Sequence, residues 1–482
     1  MIRKGVVTMK LLVKNIGIVK NGEIAIDGLT VITGKNSSGK TTLGKVIYSV
    51  FRAGKNLEKA YENEKYDYAM SQLTEARRAF RFPTSTFNEK KINKCSKAQY
   101  NILVFICQGF HSFETEELIH FIHDLKDNLQ SFTVEEFKNI EKEFFRLPED
   151  FRSVFYNRLI GFEDSKKIAI DLLEETIQTL DNDSFESFVR SRFHKYLLKE
   201  FNGQIQPIKS RKAETQIIVT NEDKEIVHCT LTNKEMKQFG YYPFSNSINT
   251  IFIDNPFVID NLYKKKSSNE YYFYRHLINL SDISSHNDEL IDLLGAKQTE
   301  NYFDNLSFQN KYKEIVNRIN EIVPGEFVVT KDGFFYINDS AKLDVRNLAT
   351  GSKMFSIIKL LLMNGSLTKD TILILDEPES HLHPEWINRF AEIMVLLVKE
   401  VGIKVILTTH SPNLLLAFDV YSKENDISEL SHYYIAQEMS EPSKKGFSEI
   451  KCIDGNISEG YAHLSVPLLE LSVQKNEVNG DK

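Results

Sequence analysis

No disulfide or zinc framework is visible in this sequence. Its four cysteines, Cys95, Cys107, Cys229 and Cys452, stand far apart with no C-x-x-C pair. Such a set reads as reduced thiols in a cytosolic protein. Long apolar runs are missing too: stretches such as Ile393–Val398 fall far short of the ~20 residues that cross a bilayer. The first ten residues carry Arg3, Lys4 and Lys10 but no apolar h-region, so no signal peptide is expected. Secreted and integral membrane classes are set aside, no membrane partner is expected, and a cytoplasmic location is. Basic charge is not in excess either. The 60 Lys and Arg against 67 Asp and Glu leave −7, which argues against a chain coated in basic charge while leaving room for a local patch. Internal repeats and low-complexity tracts are also lacking.

What is present is length. At about 150 residues per domain, the chain has room for roughly three domains or subdomains, and it can bury a core without metals or disulfides. Short strand-like runs come first, at Leu11–Val13, Ile24–Ile26 and Leu29–Ile32, separated by the turn signals Lys14-Asn15, Asn21-Gly22 and Asp27-Gly28. A helix is expected from Lys40 to about Phe51. From about 53 to 205 the spacing is helical, with apolar stripes Leu118/Ile119/Phe121/Ile122/Leu125 and Ile168/Ile170/Leu172/Leu173/Ile177 read as helix core. A hairpin follows at Gln216–Thr220 and Glu225–Thr230, then a strand at Thr250–Ile253. A second helical stretch, about 263–323, carries Tyr312, Ile315, Val316, Ile319, Ile322 and Val323 and stops at Pro324-Gly325. A hairpin at Phe327–Thr330 and Phe334–Ile337 leads into alternating helices and strands, with strands at Thr371–Leu375 and Val405–Thr408. That alternation predicts an α/β fold with a mostly parallel sheet, to which an antiparallel β subdomain is expected to be added. Expected segments are 1–52, 53–205 (helical insertion), 206–262, 263–323 (second insertion) and 324–482, with Val473–Lys482 as a loose tail.

Gly34-Lys35-Asn36-Ser37-Ser38-Gly39-Lys40-Thr41 fits G-x-x-x-x-G-K-[ST]. The glycines let the loop curl so that its backbone N–H groups, from Asn36, Ser37 and Ser38 onward, face phosphates, with the helix dipole behind them. Lys40 is placed to reach β- and γ-phosphates and Thr41 to ligate Mg²⁺. The alternative is a Gly-rich turn with a chance Lys-Thr. The strand Thr371–Leu375 ends in Asp376-Glu377-Pro378, and buried acids need partners. Asp376 is the candidate Mg²⁺ holder, directly or through water, and Glu377 the candidate base for the attacking water. His410 ends the strand Val405–Thr408 and is read as a γ-phosphate contact, since ligands bind at the carboxyl ends of parallel strands. Asn347-Leu348-Ala349-Thr350-Gly351-Ser352-Lys353 opens a helix as either an ordinary cap or an anion-binding segment. His381-Leu382-His383-Pro384 has too few ligands for zinc and is read as a subunit contact. Lys209–Lys212 and Lys264–Lys266 are read as solvated faces, with phosphate-backbone contact as the alternative.

In this order, P-loop, helical insertion, hairpin, second insertion, Thr350–Lys353, Asp376-Glu377 and His410, the chain resembles the ABC-type ATPase head shared by SMC, RecF and overcoming-lysogenization-defect (OLD) proteins. Both ends carry the resemblance, about 10–52 and 325–420, with weaker support from 215–260. More narrowly, Gly-Lys-Asn-Ser-Ser-Gly-Lys-Thr-Thr (ending at Thr42), Leu-Ala-Thr-Gly-Ser-Lys and Leu-Asp-Glu-Pro-Glu-Ser-His-Leu-His-Pro-Glu-Trp look like the ATPase component of the Septu antiphage system. The tract Thr-Thr-His-Ser-Pro-Asn-Leu-Leu-Leu-Ala-Phe-Asp-Val-Tyr-Ser-Lys is similar to that group too. The resemblance implies a head that binds ATP and Mg²⁺ and dimerises, or forms a higher homo-oligomer, around two nucleotides. Each nucleotide would lie between the P-loop of one copy, Thr42 included, and Thr350, Gly351 and Ser352 of the other. Ala349 stands where the transporter signature has Ser, and Asp254-Asn255-Pro256 occupies the place of a glutamine loop, so binding without turnover is left open beside ATP hydrolysis. The resemblance further implies a separate effector nuclease of HNH type, regulated in antiphage defence. The alternative is a RecF/SMC-like repair ATPase with DNA as a direct partner. A single-chain OLD nuclease is disfavoured because only 72 residues follow His410.

Overall fold

The computed structural model describes residues 9–80, 96–107, 109–140, 161–206, 214–244, 248–262, 285–295, 312–330, 333–339, 341–441 and 444–480. Cys95 and the basic runs Lys209–Lys212 and Lys264–Lys266 lie outside them. The chain divides into two compact units, one formed by Met1–Lys55, Val189–Tyr271 and Asp282–Lys482, the other centred on Asn56–Phe188.

The first unit begins with strands β1 (Met9–Ile16), β2 (Val19–Ala25) and β3 (Leu29–Gly34), then helix α1 (Lys40–Ala53). Alternating burial in β1 marks one covered face, whereas β3 is buried along its whole length, as a central strand covered on both sides must be. In the second unit, α2 (Leu57–Ala79), α3 (Lys97–Cys107), α4 (Thr115–Ser131), α5 (Val134–Ile140) and α6 (Phe162–Asn182) close on a core of their own. Glu114 and Glu117 form a reciprocal capping box at the start of α4, satisfying N–H groups a helix start leaves open. Leu118, Phe121, Ile122 and Leu125 are buried, in line with the expected stripe, but Ile168 is 52 % exposed. The inward face of α6 runs instead through Ala169, Leu173 and Thr176, a four- and three-residue spacing that turns Ile168 outward.

Helix α7 (Phe185–Glu200) falls within the expected 53–205 insertion, yet from Val189 it belongs to the first unit. Arg192 Nε donates to Ala53 O at 2.9 Å, and Phe193 packs on Phe239 and Tyr241. Strands β4 (Thr215–Asn221), β5 (Lys224–Leu231), β6 (Met236–Tyr241) and β7 (Asn249–Ile253) follow. Of the expected second insertion, the described helices α8 (His286–Leu294) and α9 (Lys313–Asn320) do not stand apart: Leu290, Leu294, Ile315 and Ile319 enter the core of the first unit. Next come β8 (Glu326–Thr330), β9 (Gly333–Asn338) and β10 (Ala341–Asp344), a separate antiparallel sheet. The chain continues through α10 (Thr350–Met363), β11 (Thr371–Asp376), α11 (Pro384–Leu396), β12 (Lys404–Thr409), α12 (Pro412–Glu424), β13 (Ser431–Glu438), β14 (Ser448–Cys452) and α13 (Ile457–Gly480). Val473 to Gly480 are therefore helix and not loose tail; this stretch has no proline or glycine until Gly480, a usual stop.

The main sheet has eleven strands in the order β6-β5-β4-β1-β2-β14-β13-β3-β12-β11-β7. β13, β3, β12, β11 and β7 are mutually parallel neighbours. β4, β5 and β6 extend the same sheet antiparallel through β1. The α/β class is the one expected, with the antiparallel part continuous with the parallel one. Parallel register brings the ends of β3, β11, β12 and β7 to one edge, where Gly34, Asp376, Thr409 and Ile253 stand together.

Candidate nucleotide site

The loop from Gly34 to Gly39 leaves β3 and enters α1 without a side-chain cap; Gly39 adopts φ +89°. A side chain at Gly39 would also meet Val19 Cγ2 at 2.5 Å, so the loop's close seat on β2 requires glycine. Asn36 and Ser37 are exposed, Ser38 and Thr42 half-buried. Ser448 Oγ donates to Ser38 O at 2.6 Å, which pins the loop from β14. The Ser38 hydroxyl oxygen itself is buried without a partner. A ligand that accepted from it would answer that cost.

Lys40 is 3 % exposed. Its Nζ donates to Gly34 O at 3.0 Å and Lys35 O at 2.9 Å, and lies 3.2 Å from Glu377 Oε1. The cation is thus held under the loop rather than extended into water. Next on α1, Thr41 donates its one O–H to the Asp376 carboxylate, with Oγ1 2.8 and 3.0 Å from the two oxygens. Thr408 Oγ1 of β12 donates to the same carboxylate at 2.5 Å. Burial pushes the Asp376 carboxyl above its ordinary range; the two hydroxyls oppose this, and the charges of Glu377 and Asp254 add to it. A divalent cation would relieve that crowding of negative charge.

Glu377 takes a left-handed backbone, φ +45° and ψ 52°, before Pro378. For a residue with a side chain this conformation costs on the order of 1–3 kcal/mol and survives only where surroundings enforce it. Here its N–H is held by Thr408 Oγ1 at 3.1 Å and Thr408 O at 3.2 Å. Its Oε2 lies 3.3 Å from His410 Nδ1, without the alignment of a hydrogen bond, since Nδ1 has no partner by that measure. The structure therefore brings Lys40, Thr41, Asp376, Glu377 and His410 together.

Sequence reasoning passed over Glu379. It is 6 % exposed and accepts from Thr409 Oγ1 at 2.6 Å and from His410 N at 3.0 Å. It fixes the backbone that presents His410. Burial raises its carboxyl, and those bonds pull against the rise. The signal was a second acid two residues after Glu377, on the turn that follows β11.

The segment at the start of α10 is anchored by a buried cation. Lys353 does not face solvent: it is 2 % exposed, with Nζ at 2.7 Å from both Asp260 carboxylate oxygens, 3.1 Å from Arg346 O, and 4.9 Å from the Phe257 ring centre. It pins the helix to the turn Pro256–Asn261. Thr350 and Ser352 are half-buried and Ala349 is exposed, without a side-chain cap on the helix. Gly351 lets the helix start approach Trp386 and His381, where a Cβ would sit 3.0 Å from the indole and 3.1 Å from His381 O. His381 sets its ring edge against Phe257, 5.9 Å between centres, and His383 caps α11 through Nδ1. Asn255 likewise caps its own turn, accepting from Phe257 N at 2.9 Å. Among the described residues, no helix is long and apolar enough to cross a membrane.

Residues 114–417, more than half of the chain, match the family described as "AAA domain, putative AbiEii toxin, Type IV TA system". The chain belongs to that family. The match begins beyond the P-loop and takes in Thr350–Lys353, Asp376-Glu377 and His410. No curated protein matches the chain. Among solved structures it is similar to the SMC head domain from Thermotoga maritima, at 12 % identity over 92 % of this chain and 98 % of that one, with a TM-score of 0.32. It is similar also to the Smc head domain with coiled coil and joint from Pyrococcus yayanosii, at 11 % identity over 95 % and 99 %, with a TM-score of 0.33.

Proposed function

From the premise of membership in this AAA-domain family, we propose an ATP-binding ATPase that dimerises around ATP and Mg²⁺ and controls a separate effector nuclease in antiphage defence. The observation that carries the nucleotide part is the hydrogen bond of the Thr41 hydroxyl to the Asp376 carboxylate, its one O–H shared between both oxygens, which joins the P-loop helix to the acidic strand end. The residues fit the ligand: a buried lysine under a curled loop, a buried and unpartnered Ser38 hydroxyl in that loop, and a carboxylate held by two hydroxyls. ATP and Mg²⁺, when bound, supply the phosphoryl bond and the divalent charge. Loop N–H groups and Lys40 bind the phosphates, Thr41 and Asp376 orient the cation, Glu377 accepts the proton of water, and His410 senses the terminal phosphate from β12. Thr350, Gly351 and Ser352 act on the nucleotide of a second copy.

The effector role rests on the motif resemblance to the Septu ATPase. The matching family's description, which names a type IV TA system, is in keeping with a two-component arrangement. Light scattering on the Glu377→Gln variant tests the dimer. Mass should double on adding ATP and Mg²⁺, and an unchanged mass with ATP demonstrably bound would overturn it.

A further inference from the structure

Behind the strand ends lies a buried ionic relay that the proposed chemistry does not use. His286, at the start of α8, places Nδ1 2.8 Å from Glu200 Oε2 and Nε2 3.0 Å from Asp254 Oδ2. Its side chain is 9 % exposed, that of Glu200 3 % and that of Asp254 29 %. Glu200 also accepts from the His286 backbone N–H at 3.3 Å. Nδ1 hydrogen-bonds the Glu200 carboxylate, whereas Nε2 meets Asp254 at ion-pair distance without the alignment of a hydrogen bond; a carboxylate beside each nitrogen favours the protonated ring. Burial alone would lower its pKa, but the Asp254 and Glu200 carboxylates outweigh that and raise it to about 9. The ring is held by Phe252 at 4.6 Å and Tyr48 at 5.8 Å between centres. Glu289, one turn along α8, ties the same helix to α1 through Tyr48 Oη at 2.8 Å and through Arg52.

The relay ends beside the candidate cation position. Ile253 and Leu375 are register partners in parallel strands, so Asp254 and Asp376 are the next residues out, side by side. The charge of Asp254 is felt at Asp376, and that of Lys45 at Asp254. Lys45 lies one turn beyond Thr41 on α1, on the same helix face. We propose that Glu200 and His286 are positioning residues that hold the Asp254 carboxylate beside Asp376, as a further negative charge in the outer shell of the bound cation. A surface carboxylate with free rotamers would not serve; one clamped by a buried imidazolium does, because outer-shell partners set ligand orientation and metal affinity. This inference rests on the proposed ATP and Mg²⁺ site.

The test measures ATP affinity by calorimetry on the full chain, with Mg²⁺ and with chelator. The ratio of the two is the Mg²⁺-dependent gain. Asp254→Asn should reduce that gain roughly tenfold, seen as weaker ATP binding in Mg²⁺. Glu200→Gln keeps an acceptor for the imidazole and should reduce the gain in the same direction. The double variant Glu200→Gln/Asp254→Asn should match Asp254→Asn alone, because Glu200 acts through Asp254. Glu200→Gln that lowers the melting temperature but leaves the gain intact, or effects that add, would overturn the relay. Should Glu200→Gln not fold, Asp254→Asn and Asp254→Glu decide: an unchanged gain in the first, or no partial recovery in the second, overturns the proposal. A wild type that binds no ATP would instead remove the site itself, a distinct outcome.

Discussion

Lys40 Nζ sits 3.2 Å from Glu377 Oε1, and Lys40 is almost wholly buried beneath the loop whose carbonyls it holds. Two residues 337 positions apart, one proposed to bind phosphate and one to accept a proton, are paired with each other in this state. Each compensates the other's desolvation. Phosphates entering the loop would compete for the lysine and release the carboxylate toward water. On the proposed reading the pair would link nucleotide occupancy to readiness of the base.

Lys40→Ala removes the cation and leaves Glu377 without it. A charge-assisted hydrogen bond is worth about 1.5–3 kcal/mol, so ATP affinity by calorimetry should fall roughly ten- to a hundredfold. Unaltered affinity would sink the P-loop assignment.

Asp376→Ala should weaken ATP binding chiefly when Mg²⁺ is present, because its proposed task is to orient the cation with Thr41. In chelator the variant should bind like wild type, apart from relief of one buried charge. An equal loss in both conditions would make the residue structural, a brace between α1 and β12 through Thr41 and Thr408.

Glu377→Gln should keep ATP bound and slow hydrolysis by about 10²–10⁴, the usual worth of a positioned proton acceptor. Phosphate release is the readout. A variant that turns over like wild type denies Glu377 the role of base. Where wild type is itself inactive, Ala349 and Asn255 point to a sensor that binds without cycling.

The parts of the site that could be read from sequence are those in which one contiguous stretch does the work. Gly34–Thr41 is a strand, turn and helix in a row, and Thr371–Glu377 is an apolar run ending in acids. What escaped the reading depends on residues far apart in the chain. Lys353 looks like an anion-facing lysine until Asp260, 93 positions earlier, is seen to neutralise it. Glu379 has meaning only through Thr409 and His410. His286 falls in a stretch read simply as helical, and its two carboxylate partners come from α7 and the end of β7. β13 and β14 were not anticipated either. Ser431–Glu438 has no clean alternation because it is buried between β3 and β14, a setting that tertiary structure decides.

Gly351→Val tests the seat of α10. Its Cβ would press on the Trp386 ring and on His381 O, and overpacking of this kind costs about 1–3 kcal/mol. The melting temperature should drop by several degrees. Gly351→Ala should show the same effect more weakly. If neither variant shifts the transition, the close approach is not needed for stability.

The last prediction concerns where nuclease activity resides. The acids at the strand ends are committed to the nucleotide loop: Asp376 to Thr41 and Thr408, Glu377 to Lys40, and Glu379 to Thr409 and the His410 backbone. A metal-dependent nuclease needs several acids free to hold cations against a scissile phosphate; with Glu377 and Glu379 tied to Lys40, Thr409 and the His410 backbone, Asp376 is left alone for the single cation of the proposed ATP site. The purified chain should accordingly leave plasmid and linear DNA intact in Mg²⁺ or Mn²⁺, with or without ATP. Co-expressed with the protein encoded beside it, the complex should cut DNA, and ATP should change the rate. The Lys40→Ala complex should lose that ATP response while the partner keeps its own active site. Cleavage by the lone chain, abolished by mutating Asp376 or Glu377, would place the nuclease in this protein and overturn the two-component reading.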